Sequence, residues 1–249
     1  MTTFKVTLEY DGTRYSGWQE QKNARTVMGE IRKAAEQVFG GDLEMQGAGR
    51  TDAGVHALAQ VMHIKVASQV QHTLDVIRRR LNDLLPADIA ILNVERAPRN
   101  FHARHDAVAR VYLYQISRRK QAFIKRYVWW VKEELDIQHM SEAAAMLAGR
   151  HDFVCFHASD PSRPGESTIV EIEGAAIETE EDIIQFRIAG SHFLWRMVRR
   201  IVGALVKVGK REITLEDFRK LVDGRCDAKL DVAAWTAPAS GLFLEEIRY

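Results

Sequence analysis

A glycine-rich segment at residues 47–57 contains the side chains most able to do chemistry. Three glycines, at positions 47, 49 and 54, break the periodicity of both helices and strands. Glycines let a backbone approach a ligand closely, and the segment places the carboxylate of Asp52 two residues after the guanidinium of Arg50. An arginine beside an aspartate favours the ionised carboxylate that a nucleophile requires. The alternative is a tight turn in which Asp52 forms only a local hydrogen bond.

Histidines and cysteines offer weaker candidates. The nine histidines include His102 and His105, three residues apart, but no acidic or cysteine partner lies at metal-ligand spacing, so we expect no metal site. Cys155 and Cys226 are too few and too far apart for a disulfide framework or a zinc site. We expect each cysteine to be a small buried or partly buried apolar residue.

Two further segments allow alternative interpretations. Residues 9–13 approximate the Asp-x-Asp-Gly-Thr loop of haloacid-dehalogenase phosphatases, but Glu9 stands where the nucleophilic aspartate is required. The neighbouring Trp129 and Trp130 favour a buried strand over a platform on which bases stack.

The composition is that of a globular protein with a sizeable core. The chain has 249 residues, 46% hydrophobic and 28% charged, which allows one large domain or two small ones. The longest apolar runs are far shorter than the roughly 20 residues that span a bilayer, so we expect no membrane segment. The first residues show no secretory-signal pattern, and we therefore expect a cytoplasmic protein.

Charge is distributed unevenly although the net charge is only +1. Nine basic residues and one acidic residue fall within residues 96–126, and six basic residues without an acidic one fall within 189–211. Residues 171–182 instead carry six acidic residues and no basic one. This pattern indicates either a polyanion-binding surface with an acidic back, or solvated surfaces whose charges balance in space.

Hydrophobic periodicity predicts the elements that position these residues. Thr26 is a predicted helix N-cap, and Gly40 ends that helix. The first half has predicted strands at 4–10, 43–46, 61–66 and 89–94 and helices at 27–39 and 73–85. The second half has predicted strands at 111–116, 169–177, 183–188 and 242–247 and helices at 141–147, 193–208 and 215–222.

This order favours an α+β fold of two ferredoxin-like halves, each β-α-β-β-α-β. We expect an N-terminal subdomain at residues 1–106, which carries the glycine-rich segment, and a C-terminal subdomain at 107–249. RNA-recognition modules share this topology, which favours RNA binding by analogy alone.

Residues 49–57, Gly-Arg-Thr-Asp-Ala-Gly-Val-His-Ala, closely resemble the signature loop of the tRNA pseudouridine synthase A (TruA) family. The resemblance continues in order along nearly the whole chain. The further similar blocks are residues 9–13, 17–19, 60–63, 101–104, 109–114, Phe193 with 197–199 and 201–203, and 241–243.

The resemblance implies an enzyme with the pseudouridine synthase fold, in which the antiparallel sheets of the two halves combine around a central cleft. Such an enzyme isomerises uridine to pseudouridine at positions 38, 39 and 40 of the tRNA anticodon stem-loop. The resemblance also implies a homodimer and no metal or other cofactor. A protein that binds RNA without catalysis is the main alternative, and for it Asp52 would be dispensable.

The resemblance also assigns roles to individual residues. Asp52 matches the catalytic nucleophile, although attack on the sugar, attack on the base and abstraction of a ribose proton all stay open. Arg50 and Arg199 are expected to pair with or orient that carboxylate and a backbone phosphate, and Tyr112 to stack on the target base. Phe193 and Leu242 would line the apolar side of the pocket. The expected RNA contacts are Arg78, Arg79, Arg104, Arg110, Arg118, Arg119, Arg196 and Arg200.

Two positions depart from the family pattern. Met28 stands where glutamine is common at the start of the first helix, and Ser167 stands where arginine is usual. Ser167 follows the loop at residues 157–165, so RNA contacts near that loop are the least transferable part of the resemblance.

Overall fold

A computed structural model describes residues 1–67, 70–159 and 165–249. The chain forms two compact units. The first contains residues 1–108 and 243–249, and the second contains residues 109–242. The seven C-terminal residues therefore belong with the first unit.

In the first unit two helices alternate with strands in the predicted order. Its elements are β1 (Thr2–Tyr10), α1 (Val27–Phe39), β2 (Leu43–Gly47), β3 (His56–Val66), α2 (Leu74–Leu84) and β4 (Ile89–Ala97). The second unit contains β5 (Ala109–Ser117), β6 (Trp129–Trp130), α3 (Ile137–Ala145), β7 (Gly149–Asp152), β8 (Ile169–Glu180), β9 (Ile183–Gly190), α4 (Met197–Gly209) and α5 (Leu215–Val222). The last strand, β10 (Leu242–Arg248), lies in the first unit apart from Leu242.

The sheet of the first unit is built around β3. Strand β1 lies between β4 and β3 and is antiparallel to both, so Val6 is paired with Met62 on one side and Val94 on the other. Strand β2 runs antiparallel to the second part of β3. Residues 243–244 of β10 pair in parallel with the first two residues of β3. The start of β3 is therefore fixed by two neighbouring strands, β1 and β10.

The N-cap and the end of α1 lie where the sequence predicted them. The Thr26 side chain accepts a hydrogen bond from the Gly29 N–H, and Gly40, with φ +67°, ends α1. The Thr73 side chain caps α2 in the same way. Both helices bury an apolar face, which in α2 consists of Ile77 and Leu81.

The sheet of the second unit has the order β5-β9-β8-β7, with antiparallel neighbours. The short β6 pairs in parallel with the end of β5. Helix α5 spans the predicted residues 215–222 and begins with a capping box between Thr214 and Asp217.

Two helix starts differ from the prediction. Helix α3 begins at Ile137 because the Asp136 side chain accepts a hydrogen bond from the His139 N–H. Helix α4 begins at Met197 and not near residue 193, because Arg196 has the left-handed backbone conformation, with φ 59°. Phe193 and Arg196 therefore precede α4, and the basic residues within the helix are Arg199, Arg200 and Lys207.

The prediction of two separate apolar cysteines was wrong. Cys155 and Cys226 form a disulfide across a sequence separation of 71 residues. Sequence spacing alone did not indicate it, because the pairing depends on the fold placing the segment after α5 beside the short helix Phe153–Phe156.

The interpretation of Trp129 and Trp130 as a buried strand was half right. They form β6, but side chains alternate along a strand. Trp129 is half-buried and packs edge-on against Tyr114, whereas Trp130 is 38% exposed.

No helix among residues 1–67, 70–159 and 165–249 is long and apolar enough to cross a membrane.

Candidate active site

The glycine-rich segment forms the connection between β2 and β3. Its first part is held by β3 itself, since the Ala48 N–H donates to the Val61 carbonyl at 2.7 Å. The side chain of Gln60 also donates from Nε2 to the Gly49 carbonyl at 3.0 Å. The strand that follows the loop thus fixes the residues that precede Asp52.

The segment after β1 holds the middle of the loop. The N–H of Trp18 donates to the Thr51 carbonyl at 3.0 Å, and the Gly54 N–H donates to the Tyr15 carbonyl at 3.3 Å. The hydroxyl oxygens of Tyr10 and Thr51 lie 2.8 Å apart in a buried hydrogen bond. Backbone and side-chain bonds therefore restrain the residue immediately before Asp52 and the residue two after it.

Two glycines in the segment after β1 are required by this close packing. A Cβ atom at Gly12 would lie 1.9 Å from the Val55 carbonyl oxygen. Gly17 has φ +93°, and a Cβ atom there would lie 2.7 Å from the Thr51 carbonyl oxygen. Larger residues at either position would push the loop away.

The Asp11-Gly12-Thr13 segment has a structural role. The Asp11 carboxylate accepts hydrogen bonds from the Thr13 N–H at 2.9 Å and the Thr13 hydroxyl at 2.5 Å, which caps a short 3-10 helix. The Gly12 N–H donates to Nδ1 of the buried His56 at 3.1 Å, and the His56 ring stacks on Phe243. These contacts connect the C-terminal end of the loop to β10. They give residues 11–13 a structural role, and not the role of the nucleophile-bearing loop of a phosphatase.

Asp52 lies at the turn of this restrained loop. It is half-buried, and its carbonyl oxygen accepts a hydrogen bond from the Val55 N–H at 3.2 Å. Arg50 is exposed, and among the described residues it forms no ion pair with Asp52. The hydrogen bonds of the loop restrain the main chain on either side of Asp52, and the expected role of Arg50 toward the carboxylate or a backbone phosphate stays a prediction.

In the second unit the structure brings Tyr112 and Phe193 together. Tyr112 lies on β5 with 9% of its surface exposed. Its ring meets the half-buried ring of Phe193 at 84°, with centroids 5.1 Å apart. An edge-to-face pair fixes the orientation of both rings. Leu242, which begins β10, is also buried.

Arg199 is bonded to Ala237 through both its backbone and its side chain. Its Nε donates to the Ala237 carbonyl at 2.7 Å, and its carbonyl accepts from the Ala237 N–H at 3.0 Å. This pair of bonds attaches the first turn of α4 to the segment before β10. Nearby, burial lowers the pKa of Arg200, and the neighbouring charge of Arg196 adds to that effect.

Among the described residues no group of three or more histidine, cysteine, aspartate or glutamate side chains is arranged to hold a metal ion.

A family model described as tRNA pseudouridine synthase matches residues 7–106 and 143–249. A tRNA pseudouridine synthase A of Thermotoga neapolitana is 40% identical over 244 residues, which cover 97% of each chain. The chain belongs to the tRNA pseudouridine synthase A family. Other members are also similar over their whole length. A tRNA pseudouridine synthase A 2 of Clostridium tetani is 38% identical over 98% of both chains, and a tRNA pseudouridine synthase A of Thermodesulfovibrio yellowstonii is 34% identical over 100% of both.

Membership of the tRNA pseudouridine synthase A family makes the chain an enzyme, as the sequence predicted. The matched residues include the glycine-rich loop and α4. Residues 107–142 lie outside the family model, so the assignments of Arg110 and Tyr112 depend on similarity to full-length relatives.

Of the two departures from the family pattern, Met28 is buried in the first turn of α1. Ser167 is exposed, and its Oγ accepts a hydrogen bond from the Ile169 N–H at 3.3 Å. Residues 160–164 of the loop before it lie outside the described part of the chain.

Several arginines expected to contact RNA already have protein partners. Arg78 pairs with Asp75 at 3.1 Å within α2, next to the exposed Arg79. Arg119 pairs with Asp182 at 2.5 Å, and Arg118 donates to the Glu181 carbonyl, so both are attached to the turn between β8 and β9.

Three of the remaining four contact backbone carbonyls or an aromatic ring. Arg110 donates to the Ser191 carbonyl at 2.8 Å, and Arg200 donates to the His157 carbonyl. The guanidinium of Arg196 lies 4.8 Å from the centroid of the exposed Trp195 ring. Arg104 is half-buried in the segment after β4.

Sequence reasoning missed the residues that support the loop. Tyr10 and Thr51 form a buried pair from different segments, and no short motif signals such a contact. It also missed His63, a buried histidine whose Nδ1 accepts the Ala103 N–H at 3.1 Å. Gly12 and Gly17 carried the available signal, because a glycine permits the close backbone approach that both positions make to the loop.

Proposed function

We propose that this enzyme converts uridine to pseudouridine at positions 38, 39 and 40 of the tRNA anticodon stem-loop, with Asp52 as its catalytic nucleophile. The observation that carries the proposal is the restrained loop at residues 48–55. Hydrogen bonds from Trp18, Tyr10 and Gln60 restrain the residues before one half-buried carboxylate, and the bond from the Gly54 N–H to the Tyr15 carbonyl restrains the residues after it. A carboxylate held in this way is oriented before substrate arrives.

The chemistry needs few groups. The bond between the ribose and the uracil nitrogen breaks, the base turns over, and a bond forms to a ring carbon. That carbon loses its proton, and the freed ring nitrogen gains one. Atoms are conserved between substrate and product, so the isomerisation requires neither an oxidant nor an energy source. One carboxylate suffices as the nucleophile, toward either the sugar or the base.

The paired rings of Tyr112 and Phe193 support recognition of a flat base. A uridine within a stacked stem must be flipped out, which costs a few kcal/mol. Stacking on an aromatic ring offsets part of that cost. We assign Tyr112 to the target base and Phe193 and Leu242 to the apolar lining. Arg50 and Arg199 are assigned to the phosphate and to the orientation of the reacting groups.

The same resemblance supports the remaining assignments. The first unit has the β-α-β-β-α-β connectivity of a ferredoxin-like half, and we propose that the second half of the chain has it too. We further propose a cytoplasmic homodimer that binds tRNA through arginines, with Arg79, Arg104, Arg110, Arg196 and Arg200 among the contacts.

Mapping of the modified nucleotides tests this proposal. Transcripts with single uridines at positions 38, 39 or 40 are incubated with the wild type or with Asp52→Asn, and pseudouridine is located by carbodiimide treatment and primer extension. Modification at these three positions by the wild type alone is expected. The variant should bind tRNA within about tenfold of the wild type, because the substitution removes the nucleophile and leaves phosphate contacts intact. Modification elsewhere would overturn the positional assignment.

A further inference from the structure

Trp130 is an exposed aromatic side chain with two lysines beside it. Its ring is 38% exposed at the end of β6, in the second unit. The Nζ atom of Lys132 lies 5.3 Å from the ring centroid, and that of Lys120 lies 5.9 Å away. All three residues fall within 107–142, outside the residues that the family model matches.

The local fold explains why these side chains meet. Ser117, at the end of β5, is paired in register with Trp130, and Lys120 follows Ser117 by three residues. Lys132 follows Trp130 by two residues, and its ammonium group returns to the face of the same indole ring. Because Trp129 points the other way and packs on Tyr114, Trp130 is left facing solvent.

The connection between β5 and β6 is held in place by its own bonds. The Tyr127 N–H donates to the Ile124 carbonyl at 2.8 Å, and Gln115 donates to the Tyr127 carbonyl at 3.3 Å. The hydroxyl of Ser117 donates to the Arg119 carbonyl at 2.7 Å. The lysines and the indole therefore project from an organised surface.

The charge at this surface favours a polyanion. Residues 118–132 contain six basic side chains and no acidic one. Two acidic residues that adjoin this segment pair with other basic residues, Asp182 with Arg119 and Glu133 with Lys210. The ammonium groups of Lys120 and Lys132 lie against the indole, where they can bind an incoming phosphate without first breaking an ion pair with those two carboxylates.

We propose that Trp130, Lys120 and Lys132 form an additional RNA-binding site that accepts one unpaired nucleotide of the tRNA substrate, its base on the indole and its phosphates on the ammonium groups. Every nucleobase has a flat face that stacks on an aromatic ring, and lysines supply counter-charge for the backbone. The site serves binding and takes no part in the chemistry at Asp52. This inference rests on the proposed tRNA substrate.

Steady-state kinetics on full-length tRNA test the site with four variants. Trp130→Ala should raise KM for tRNA about fivefold or more, with kcat within about twofold, because a stacking contact is lost in binding. Trp130→Phe, which keeps an aromatic ring, should restore most of the affinity. The double variant Lys120→Gln/Lys132→Gln should reduce the slope of log Kd against log salt by about one to two. Lys33→Gln, on α1 and paired with Glu30, is the control for loss of one charge.

The outcomes separate this site from the proposed function. Wild-type protein without activity on tRNA would overturn the proposed function. An active wild type with unchanged KM and salt slope in the Trp130 and lysine variants would overturn only the additional site. Phe123, on the same connection, is 97% exposed, so sedimentation of Trp130→Ala is measured as well. A change in its oligomeric state would assign the surface to contact between two copies and contradict RNA binding there.

Discussion

The hydroxyl of Tyr10, at the end of β1, lies 2.8 Å from the hydroxyl of Thr51, the residue before Asp52. Both side chains are almost fully buried. The bond joins the end of a sheet strand to the loop that carries Asp52, the proposed nucleophile. It means that the position of the Asp52 carboxylate depends on a residue far away in sequence.

Tyr10→Phe removes this bond and little else. We expect kcat to fall about threefold to tenfold with KM for tRNA nearly unchanged, because the nucleophile loses part of its orientation. The free energy of unfolding should fall by about 1 kcal/mol. Single-turnover kinetics and chemical denaturation measure the two effects. Full activity in Tyr10→Phe would show that the backbone bonds alone position the loop.

Gly49 has open space where a side chain would be, with nothing within 4 Å of its Cβ position and no positive φ. The fold therefore tolerates alanine there, and we expect Gly49→Ala to unfold within about 1 °C of the wild type. If the RNA backbone passes close to this loop, the added methyl group raises KM. The comparison is Gly47→Ala, whose Cβ would lie 2.5 Å from Cζ2 of Trp18 and should cost about 1–3 kcal/mol of stability. Destabilisation of Gly49→Ala to a similar degree would contradict this distinction.

The disulfide between Cys155 and Cys226 closes a long segment of the second unit. For a sequence separation of 71 residues, the loss of chain entropy in the unfolded state corresponds to about 4 kcal/mol. Reduction should lower the midpoint of thermal unfolding of the wild type. It should leave the midpoint of Cys226→Ser unchanged, because that variant has no disulfide to reduce. Calorimetry with and without reductant checks this, and two titratable thiols in the unreduced native protein would rule out the pairing.

His63 makes the stability of the first unit pH-dependent. Burial lowers its pKa, and the nearby positive charges of Lys65 and His102 add to that effect, against the opposing charge of Glu44. The folded protein thus favours the neutral ring, whose Nδ1 accepts the Ala103 N–H.

The unfolded chain binds a proton at His63 from about pH 6.5 downward, whereas the folded chain resists protonation. Stability from this residue is therefore complete at neutral pH and is lost as the pH falls below about 6.5 toward the lowered pKa. His63→Asn keeps an acceptor for Ala103 but does not titrate, so its free energy of unfolding should change less between pH 7 and pH 5. Equal pH dependence in both proteins, measured by urea denaturation, would exclude His63 as the source.

The sequence predicted the elements well where local signals decide them. The cap at Thr26 and the alternation in β1 are local features, and the structure has them where expected. Helix α2 begins one residue after the predicted start, because Thr73 is its cap. The start of α4 was misplaced because helix propensity does not reveal the left-handed conformation of Arg196, after which the helix begins.

The site was only partly predictable for the same reason. The loop and the family resemblance single out Asp52 as the proposed nucleophile, whereas Tyr10, Gln60 and Trp18 support the loop through contacts between distant segments. The disulfide likewise depends on tertiary structure. Trp130 was misjudged because hydrophobicity does not reveal which of two adjacent strand residues faces solvent.

Release of tritium from tRNA labelled at carbon 5 of uracil tests the central claim most directly, since that proton is lost only when the new carbon bond forms. The assay compares the wild type with Asp52→Asn, without added metal or cofactor. We predict stoichiometric release by the wild type and none by the variant, although both bind the tRNA. Release by Asp52→Asn at the wild-type rate would contradict the assignment of Asp52 as the nucleophile.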